Sequence, residues 1–347
     1  MNKNKKTALL MSLVLSAFIV AGCFAGCKPK DNGNKIRVCE TARSIFYAPL
    51  YVAVNNGYFA DEGLDVDVTT VQGSDLVMTT VISGGAEIGL MGPETTVYCR
   101  VNGQKDYPVV FAQLTKRDGS FLVAKKPDEA FTWDKLKGKH VLAGRAGGVP
   151  AMTMQYIVNK AGMQTSDMKF NTDVSFGMMA SVFDSDNTVD YTTMFEPTAS
   201  EYVKKGRGYI VASVGEASGA VPYTAFSASK SYIGQNPERI KAFIRAIIKG
   251  YEFLQTSDSA ATVKALKPHF AAIDDELIAA SIESYRKIDA WAQSPVMLKQ
   301  SFETLKAIMK NAGFLDKEVT FEDIVDNTYA EAVIAEKAKN KQVLYHA

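Results

Sequence analysis

Beyond residue 35, short runs rich in β-branched and aromatic residues alternate with longer stretches whose apolar residues recur at helical spacing. This alternation is typical of βα units, which build mostly parallel sheets covered by helices. It therefore predicts an α/β fold. The predicted strands span residues 36–41, 64–71, 87–91, 109–114, 121–124, 139–143, 168–174, 189–194, 209–214 and 223–227.

The last third of the chain is predicted to be mainly helical. Asn236, Pro237 and Glu238 form a strong helix start, because Asn caps well, Pro suits the first helical position and an acid favours the N-terminal dipole. The apolar residues that follow fall on one helix face. They are Ile240, Phe243, Ile244, Ile247, Ile248 and Tyr251. Further helices are predicted over residues 260–266, 275–288, 298–312 and 321–339.

Two stretches of the chain repeat one pattern of proline, glycine, strand and acidic corner. The first runs from Pro49 to Glu94 and the second from Pro150 to Glu196, and their lengths differ by one residue. Chance alternation would not keep these features in step, so we expect two similar α/β lobes. A chain that crosses between two lobes more than once can hinge and close on a ligand.

The repeat also sets the expected domain organisation. The first lobe is predicted to begin with residues 36–118 and the second lobe to span residues 119–221. Residues 222–347 are expected to return to the first lobe as one strand and a helical tail.

The amino terminus is predicted to be a lipoprotein signal peptide over residues 1–22. Three lysines within the first six residues precede an apolar run that is shorter than the roughly 20 residues needed to span a bilayer. The run ends in VAGC, which resembles a bacterial lipobox in which Cys23 receives a diacylglycerol. Cys27 is a second candidate, but the phenylalanine near it suits the motif less well. Two or more acyl chains, such as palmitate, give stable anchoring, and residues 23–35 would form the tether.

Composition narrows the class of function. Lys+Arg 39 against Asp+Glu 38 gives a net charge of +1, without the concentrated basic footprint of a nucleic-acid binder. The three histidines and four cysteines lack metal-ligand spacing, and no nucleophile, P-loop or dinucleotide motif occurs. We therefore predict no enzyme, no metal and no cofactor. Cys39 and Cys99 are expected to be buried free thiols rather than a disulfide.

Candidate ligand-binding residues follow the predicted strands. In parallel α/β sheets, ligands bind beyond the carboxyl ends of strands, where loops lead into helix N-termini. Here these loops carry small and polar residues, whose backbone N–H groups can face a polar ligand. The candidates are Ser44, Phe46, Tyr47, Gly73, Ser74, Glu94, Thr95, Arg145, Gly147, Glu196 and Tyr223.

Each of the more telling candidates has a structural alternative. Phe46 and Tyr47 either stack on a planar ligand or simply cover the core of the lobe. Arg145 and the glycines beside it either cradle an anion or form a tight turn with a solvated arginine. Glu94 and Glu196, at matching corners of the repeat, either accept hydrogen bonds from ligand amino groups or only stabilise helix dipoles.

Several runs resemble one family of ABC-transporter solute-binding proteins, those for nitrate, sulfonates such as taurine, and thiamine precursors. The matching runs are YAPLYVA at residues 47–53, GYF at 57–59, EGLDV at 62–66 and GGAEIG at 84–89. The resemblance covers roughly residues 36–255 and is weaker in the helical tail. It implies a two-lobe periplasmic-binding-protein fold with a hinge.

The same superfamily includes a fungal enzyme that makes the thiamine pyrimidine with its own histidine and a cysteine-rich segment with iron. The corresponding region here reads FGMM at residues 176–179, without a cysteine cluster, which argues against the enzyme.

The resemblance therefore implies a bacterial, lipid-anchored solute-binding protein on the extracytoplasmic face of the cell membrane. We expect a monomer that passes a small molecule to a permease and an ATPase subunit, without cofactor or nucleic acid. The aromatic and acidic candidates favour a pyrimidine-like heterocycle. A sulfonate- or nitrate-type anion, or a sensor role without transport, is the alternative.

Overall fold

The fold is described from a computed structural model, in which residues 33–345 are defined well enough to describe. The expected signal peptide and the cysteines Cys23 and Cys27 lie outside these described residues. From Ile36 onward the chain forms one compact unit.

Ten strands of the described residues form two five-stranded sheets, and each strand overlaps a segment predicted from the hydrophobic pattern. The strands are β1 Lys35–Glu40, β2 Asp65–Thr70, β3 Ile88–Met91, β4 Pro108–Thr115, β5 Ser120–Ala124, β6 His140–Leu142, β7 Lys169–Asn171, β8 Tyr191–Phe195, β9 Tyr209–Ser213 and β10 Thr224–Ser229.

Helices cover both sheets and make up most of the C-terminal third. The α-helices are α1 Ala48–Asn55, α2 Tyr58–Asp61, α3 Ser74–Ile82, α4 Glu94–Val101, α5 Val149–Lys160, α6 Met179–Ser185, α7 Thr198–Lys204, α8 Val214–Ser218, α9 Lys230–Gln235, α10 Pro237–Thr256, α11 Ser259–Leu266, α12 Asp275–Lys287, α13 Lys299–Asn311, α14 Phe321–Ile324 and α15 Thr328–Tyr345. Shorter 3₁₀ turns span Ile45–Tyr47, Trp133–Leu136, Thr165–Asp167, Phe176–Met178 and Lys267–His269.

The two sheets share one strand order. The first runs β2-β1-β3-β10-β4, and the second runs β7-β6-β8-β5-β9. In the first, β1 is parallel to β3, whereas β10 is antiparallel to β3 and β4. In the second, β6 is parallel to β7 and β8, whereas β5 is antiparallel to β8 and β9. The repeat seen in the sequence thus corresponds to two α/β lobes of the same topology, each built on a mixed sheet.

Two short segments connect the lobes side by side. Four residues separate the end of β4 from the start of β5, and the returning chain enters β10 after Tyr223. The backbone N–H of Val221 donates to the carbonyl of Lys116 at 3.0 Å, and that of Tyr223 donates to the carbonyl of Thr115 at 3.3 Å. Adjacent crossings of this kind are where a two-lobe protein can bend.

The long helix α10 begins at Pro237, and all six predicted apolar positions on it are buried. It lies against α1 so closely that a Cβ at Gly250 would be 2.3 Å from the carbonyl oxygen of Pro49. Glycine at this position therefore permits the two helices to touch backbone to backbone.

The predicted helix over residues 321–339 is wrong in one respect, since it is interrupted. Helix α14 ends at Ile324, and α15 starts only at Thr328. Between them Val325 is extended and pairs with Val110 of β4, and the N–H of Asp326 donates to the Val110 carbonyl at 2.8 Å. Pairing with β4 gives this extended segment the backbone hydrogen bond that it would otherwise form within a helix.

Cys39 and Cys99 are both free thiols, as predicted, although Cys99 is only half-buried. Burial raises the pKa of both thiols. None of the helices between residues 33 and 345 is long and apolar enough to cross a bilayer.

Candidate functional site

A cavity of about 560 Å³ opens where the loops after β1, β3, β6 and β8 meet the crossing segments. This is the size of cavity that takes a small organic molecule. All eleven residues proposed from the sequence line it: Ser44, Phe46, Tyr47, Gly73, Ser74, Glu94, Thr95, Arg145, Gly147, Glu196 and Tyr223. Their shared location does not itself show that they bind a ligand, so the contacts of each group decide what it can do.

Glu94 is the first residue of α4, and its side chain is only 3% exposed. The carboxyl oxygen Oε2 is buried without a hydrogen-bond partner. The carboxyl group folds back over Gly92, where a Cβ would lie 1.9 Å from Oε2. The pKa of Glu94 is raised to about 8, mainly by burial and in part by the nearby charge of Asp75, although the backbone N–H groups of Glu94 itself and of Val149 lower it. A buried carboxyl oxygen without a hydrogen-bond partner is unusual, because most buried polar atoms are hydrogen-bonded.

Glu196 is equally buried but differently engaged. It lies two residues before α7 rather than in the first helical turn, and its peptide bond to Pro197 is cis. Its Oε2 accepts from the backbone N–H of Ser200 at 3.0 Å, and Oε1 accepts from the Ser200 hydroxyl at 2.8 Å. The carboxylate therefore caps α7, which is the structural alternative weighed for this residue. Glu196 also lines the cavity.

Arg145 follows β6 and reaches across the mouth of the cavity. Its Nη1 lies 3.3 Å from Oδ2 of Asp75, at the start of α3. Both side chains are more than half exposed, so this pair contributes little to stability. Gly73, with a φ of +105°, keeps the space open, since a Cβ there would lie 2.7 Å from Oδ1 of Asp75. The ion pair links the first lobe to the second at the cavity mouth.

Aromatic rings form one wall of the cavity. Phe46 is 1% exposed and lies 5.5 Å from Phe195 and 5.7 Å from Tyr223, measured between ring centroids. Tyr47 lies 5.7 Å from Phe46, and Phe176 packs edge-on against Phe195 at 5.3 Å. Phe46 and Tyr47 belong to the buried core of the protein, as one of the two alternatives for them expected, and they also line the cavity.

The smaller candidates hold loops in place. Ser44 caps the Ile45–Tyr47 turn, and its hydroxyl donates to the Glu196 carbonyl at 3.3 Å. The hydroxyl of Ser74 accepts from the Gly92 N–H at 3.2 Å, and that of Thr95 donates to the Gly92 carbonyl at 2.7 Å. These hydrogen bonds fix the backbone around Glu94.

Several lining residues were missed by the sequence reasoning. The Tyr98 hydroxyl donates to the Gly147 carbonyl at 2.7 Å, which joins α4 to the loop before α5. Helical spacing could have found Tyr98, since it lies four residues after Glu94. Phe195 directly precedes Glu196, within a loop already singled out. Phe314, from the tail after α13, lies over Gly147, and no local signal in the sequence points to it.

The charged side chains that line the cavity differ in whether they have partners. Among the described lining residues, Arg43 and Arg145 are the basic ones, against the acids Asp75, Glu94 and Glu196. Both arginines already have acidic partners, since Arg43 Nε lies 2.8 Å from Glu40 and Arg145 pairs with Asp75. Within residues 33–345, no group of three or more potential metal ligands occurs. Both arginines that line the cavity are thus paired with acids, whereas Oε2 of Glu94 has no hydrogen-bond partner.

Two mixed α/β sheets of one topology, with a cavity at their facing strand ends, define the fold of the periplasmic solute-binding proteins. A solved structure of this class, the periplasmic nitrate-binding protein NrtA from Synechocystis PCC 6803, superposes with a TM-score of 0.70. The match covers 87% of this chain and 89% of that one at 16% identity, and at that identity it establishes the fold alone.

The family is defined by sequence. The profile of the NMT1/THI5-like family matches residues 45–261, and the chain belongs to this family. A relative described as putative binding protein YtlA of Bacillus subtilis is 40% identical and aligns over 96% of this chain and all of its own. The formylaminopyrimidine-binding protein of Halalkalibacterium halodurans is 24% identical over 72% of this chain and 75% of its own. These relatives are described as binding proteins.

Proposed function

We propose that this protein is the extracytoplasmic solute-binding component of an ABC importer, and that it captures an aromatic heterocycle carrying amino groups between its lobes. The observation that carries this proposal is Glu94, a buried acid that lines the cavity and whose Oε2 has no hydrogen-bond partner. A ligand that donates a hydrogen bond satisfies that oxygen, whereas a ligand with acceptors only does not.

The aromatic wall supports a planar ligand. Phe46, Phe195 and Tyr223 form one continuous cluster, with ring centroids 5.5 to 6.1 Å apart. Stacked or edge-on aromatic pairs add about 0.5–1.5 kcal/mol beyond the area they bury. The formylaminopyrimidine-binding relative is described as binding a ligand of this kind.

An anion of the sulfonate or nitrate type is the alternative, and the helix N-termini around the cavity favour it. It is less well supported, because Arg43 and Arg145 already have acidic partners and Glu94 lies at the donor-rich end of α4. An anion would have to displace one ion pair and approach a buried acid.

The cellular setting is part of the same proposal. A lipid anchor at Cys23 would hold the protein on the outer face of a bacterial cell membrane, where it would act as a monomer. A permease and an ATPase subunit would receive the bound molecule. In this proposal the protein binds its ligand and passes it on without changing it.

Binding experiments with chosen small molecules test the function. A ligand that binds only the folded state stabilises it by RT ln(1 + [L]/Kd), which is about 2.7 kcal/mol at a hundredfold excess over Kd. We expect formylaminopyrimidine or 4-aminopyrimidine to raise the thermal midpoint, and taurine and nitrate to leave it unchanged. Stabilisation by taurine or nitrate alone would show that the ligand is an anion.

A further inference from the structure

The helical tail contacts the second lobe as well as the first. Helix α13 lies against α5 of the second lobe, where the side-chain amide of Asn159 donates to Oδ1 of Asn311 at 3.0 Å. The next helix, α14, lies against the first lobe, where Nε of Arg100 is 2.9 Å from Oδ1 of Asp323. The short segment between α13 and α14 therefore passes from one lobe to the other.

Phe314 lies in that segment, and the end of α13 sets its position. The backbone N–H of Gly313 donates to the Lys310 carbonyl at 3.0 Å, and that of Phe314 donates to the Met309 carbonyl at 2.9 Å. These two hydrogen bonds form a Schellman motif, in which Gly313 adopts the left-handed conformation with a φ of +76°. The backbone of Phe314 is thus held by the helix that precedes it.

The Phe314 ring lies on the loop before α5, at the rim of the cavity. A Cβ at Gly147 would be 3.1 Å from Cε1 of this ring. The hydroxyl of Tyr98, from the first lobe, donates to the carbonyl of the same glycine at 2.7 Å. Phe314 lines the cavity and is 42% exposed, so its ring is not simply part of the core. The tail and the first lobe therefore both contact Gly147 of the second lobe.

The loop over residues 144–148 forms the second lobe's part of the cavity mouth. All five of its residues line the cavity, and Arg145 pairs with Asp75 of the first lobe. Three of the five are glycines, which have no side chain to hold a backbone in one conformation. Contacts made from outside the loop, by Phe314 and Tyr98, therefore restrict its backbone.

We propose that Phe314 is a positioning residue for ligand capture, and that its ring holds the loop over residues 144–148 in the arrangement that closes the cavity. This rests on the proposed capture of a small molecule between the lobes, and it adds the tail to the binding site. Without the ring, the loop would have to become ordered when the ligand binds. That ordering opposes binding, so the affinity falls.

Amide hydrogen exchange of the ligand-free, full-length protein tests the contact itself. In Phe314→Ala we expect N–H groups within residues 144–152 to exchange about five- to tenfold faster, because a half-buried phenylalanine side chain no longer covers the loop. Helix α13 should exchange as before. Leu298→Ala is the matched control, because Leu298 is 64% exposed, precedes the other end of α13 and is not a lining residue of the cavity. It should leave both segments unchanged.

Affinity for 4-aminopyrimidine, measured by ligand-observed NMR titration, tests the role in capture. Phe314→Ala is expected to bind it about five- to tenfold more weakly, the same factor by which the loop is loosened. Phe314→Tyr keeps a ring over Gly147 and should retain both the affinity and the slow exchange of the unchanged protein. If the unchanged protein binds taurine or nitrate instead, the same variants are compared with that ion.

The outcomes separate this role from others. Unchanged exchange over residues 144–152 in Phe314→Ala, or faster exchange with unchanged affinity, would overturn the proposal. Equally faster exchange in α13 would show that the substitution only loosens the tail, and weaker binding without faster exchange would show that the ring touches the ligand directly. Either result would also overturn it. Binding of taurine or nitrate but not 4-aminopyrimidine would refute the proposed heterocycle, and the exchange result would still decide the role of Phe314.

Discussion

Glutamine in place of Glu94 is expected to stabilise the ligand-free protein. Burial raises the pKa of this carboxyl from 4.5 to about 8. The unfolded chain therefore releases a proton above pH 4.5 that the folded protein still holds. The free energy of unfolding is therefore unaffected by Glu94 below about pH 4.5. It falls as the pH rises from there toward 8, by about 1.4 kcal/mol for each pH unit. At pH 7 the loss is about 3 kcal/mol, and E94Q removes it because an amide does not titrate.

Urea unfolding of the ligand-free protein at pH 5, 6, 7 and 8 measures this effect. We expect the two proteins to differ little at pH 5 and E94Q to be more stable by about 3 kcal/mol at pH 7. The control is Gly234→Ala, which changes no titratable group and whose added Cβ meets nothing within 4 Å, so it should keep the pH dependence of the unchanged protein. Parallel pH profiles for the unchanged protein and E94Q would refute the assignment of Glu94 as a buried, protonated acid.

Three further changes test the anchor, the contact between the lobes and the space around Glu94. Cys23→Ser should abolish fatty-acid labelling while Cys27→Ser retains it, and the reverse result would move the anchor to Cys27. Tyr98→Phe removes the hydrogen bond to Gly147 and should weaken ligand binding about two- to tenfold by calorimetry, whereas an unchanged Kd would show that the bound state does not use this contact. Gly92→Ala places a Cβ 1.9 Å from the Glu94 carboxyl and should lower the affinity at least about tenfold. Gly234→Ala, where a Cβ meets nothing within 4 Å, should leave the affinity unchanged, and equal losses in both variants would contradict the reasoning.

Hydrophobic periodicity predicted the fold well because most strands are short runs of β-branched and aromatic residues bounded by turn residues. The repeat from Pro49 to Glu94 and from Pro150 to Glu196 indicated two lobes, and the two sheets do share one strand order. The interruption at Val325 could not be predicted, because it depends on pairing with Val110, more than two hundred residues earlier. A local pattern contains no information about such a partner.

The candidate residues predicted from the sequence line one cavity, but the sequence did not predict the protonation or hydrogen bonding of their side chains. Strand-end loops collected the residues that line the cavity, because the carboxyl ends of parallel strands meet there. The sequence could not distinguish Glu94 from Glu196, since the difference lies in the hydrogen bonds from Ser200. Phe314 was missed because the tail reaches the cavity only after the chain has folded.

The central claim is that the cavity captures an amino-bearing aromatic heterocycle, and the molecule that the protein carries tests it most directly. Protein purified from its natural source under native conditions would be denatured, and the released small molecules identified by mass spectrometry. We expect one dominant species, a nitrogen heterocycle with an amino group, that rebinds to the refolded protein in one-to-one ratio. Release of a sulfonate or another anion without such a ring, with the same stoichiometric rebinding, would contradict the account.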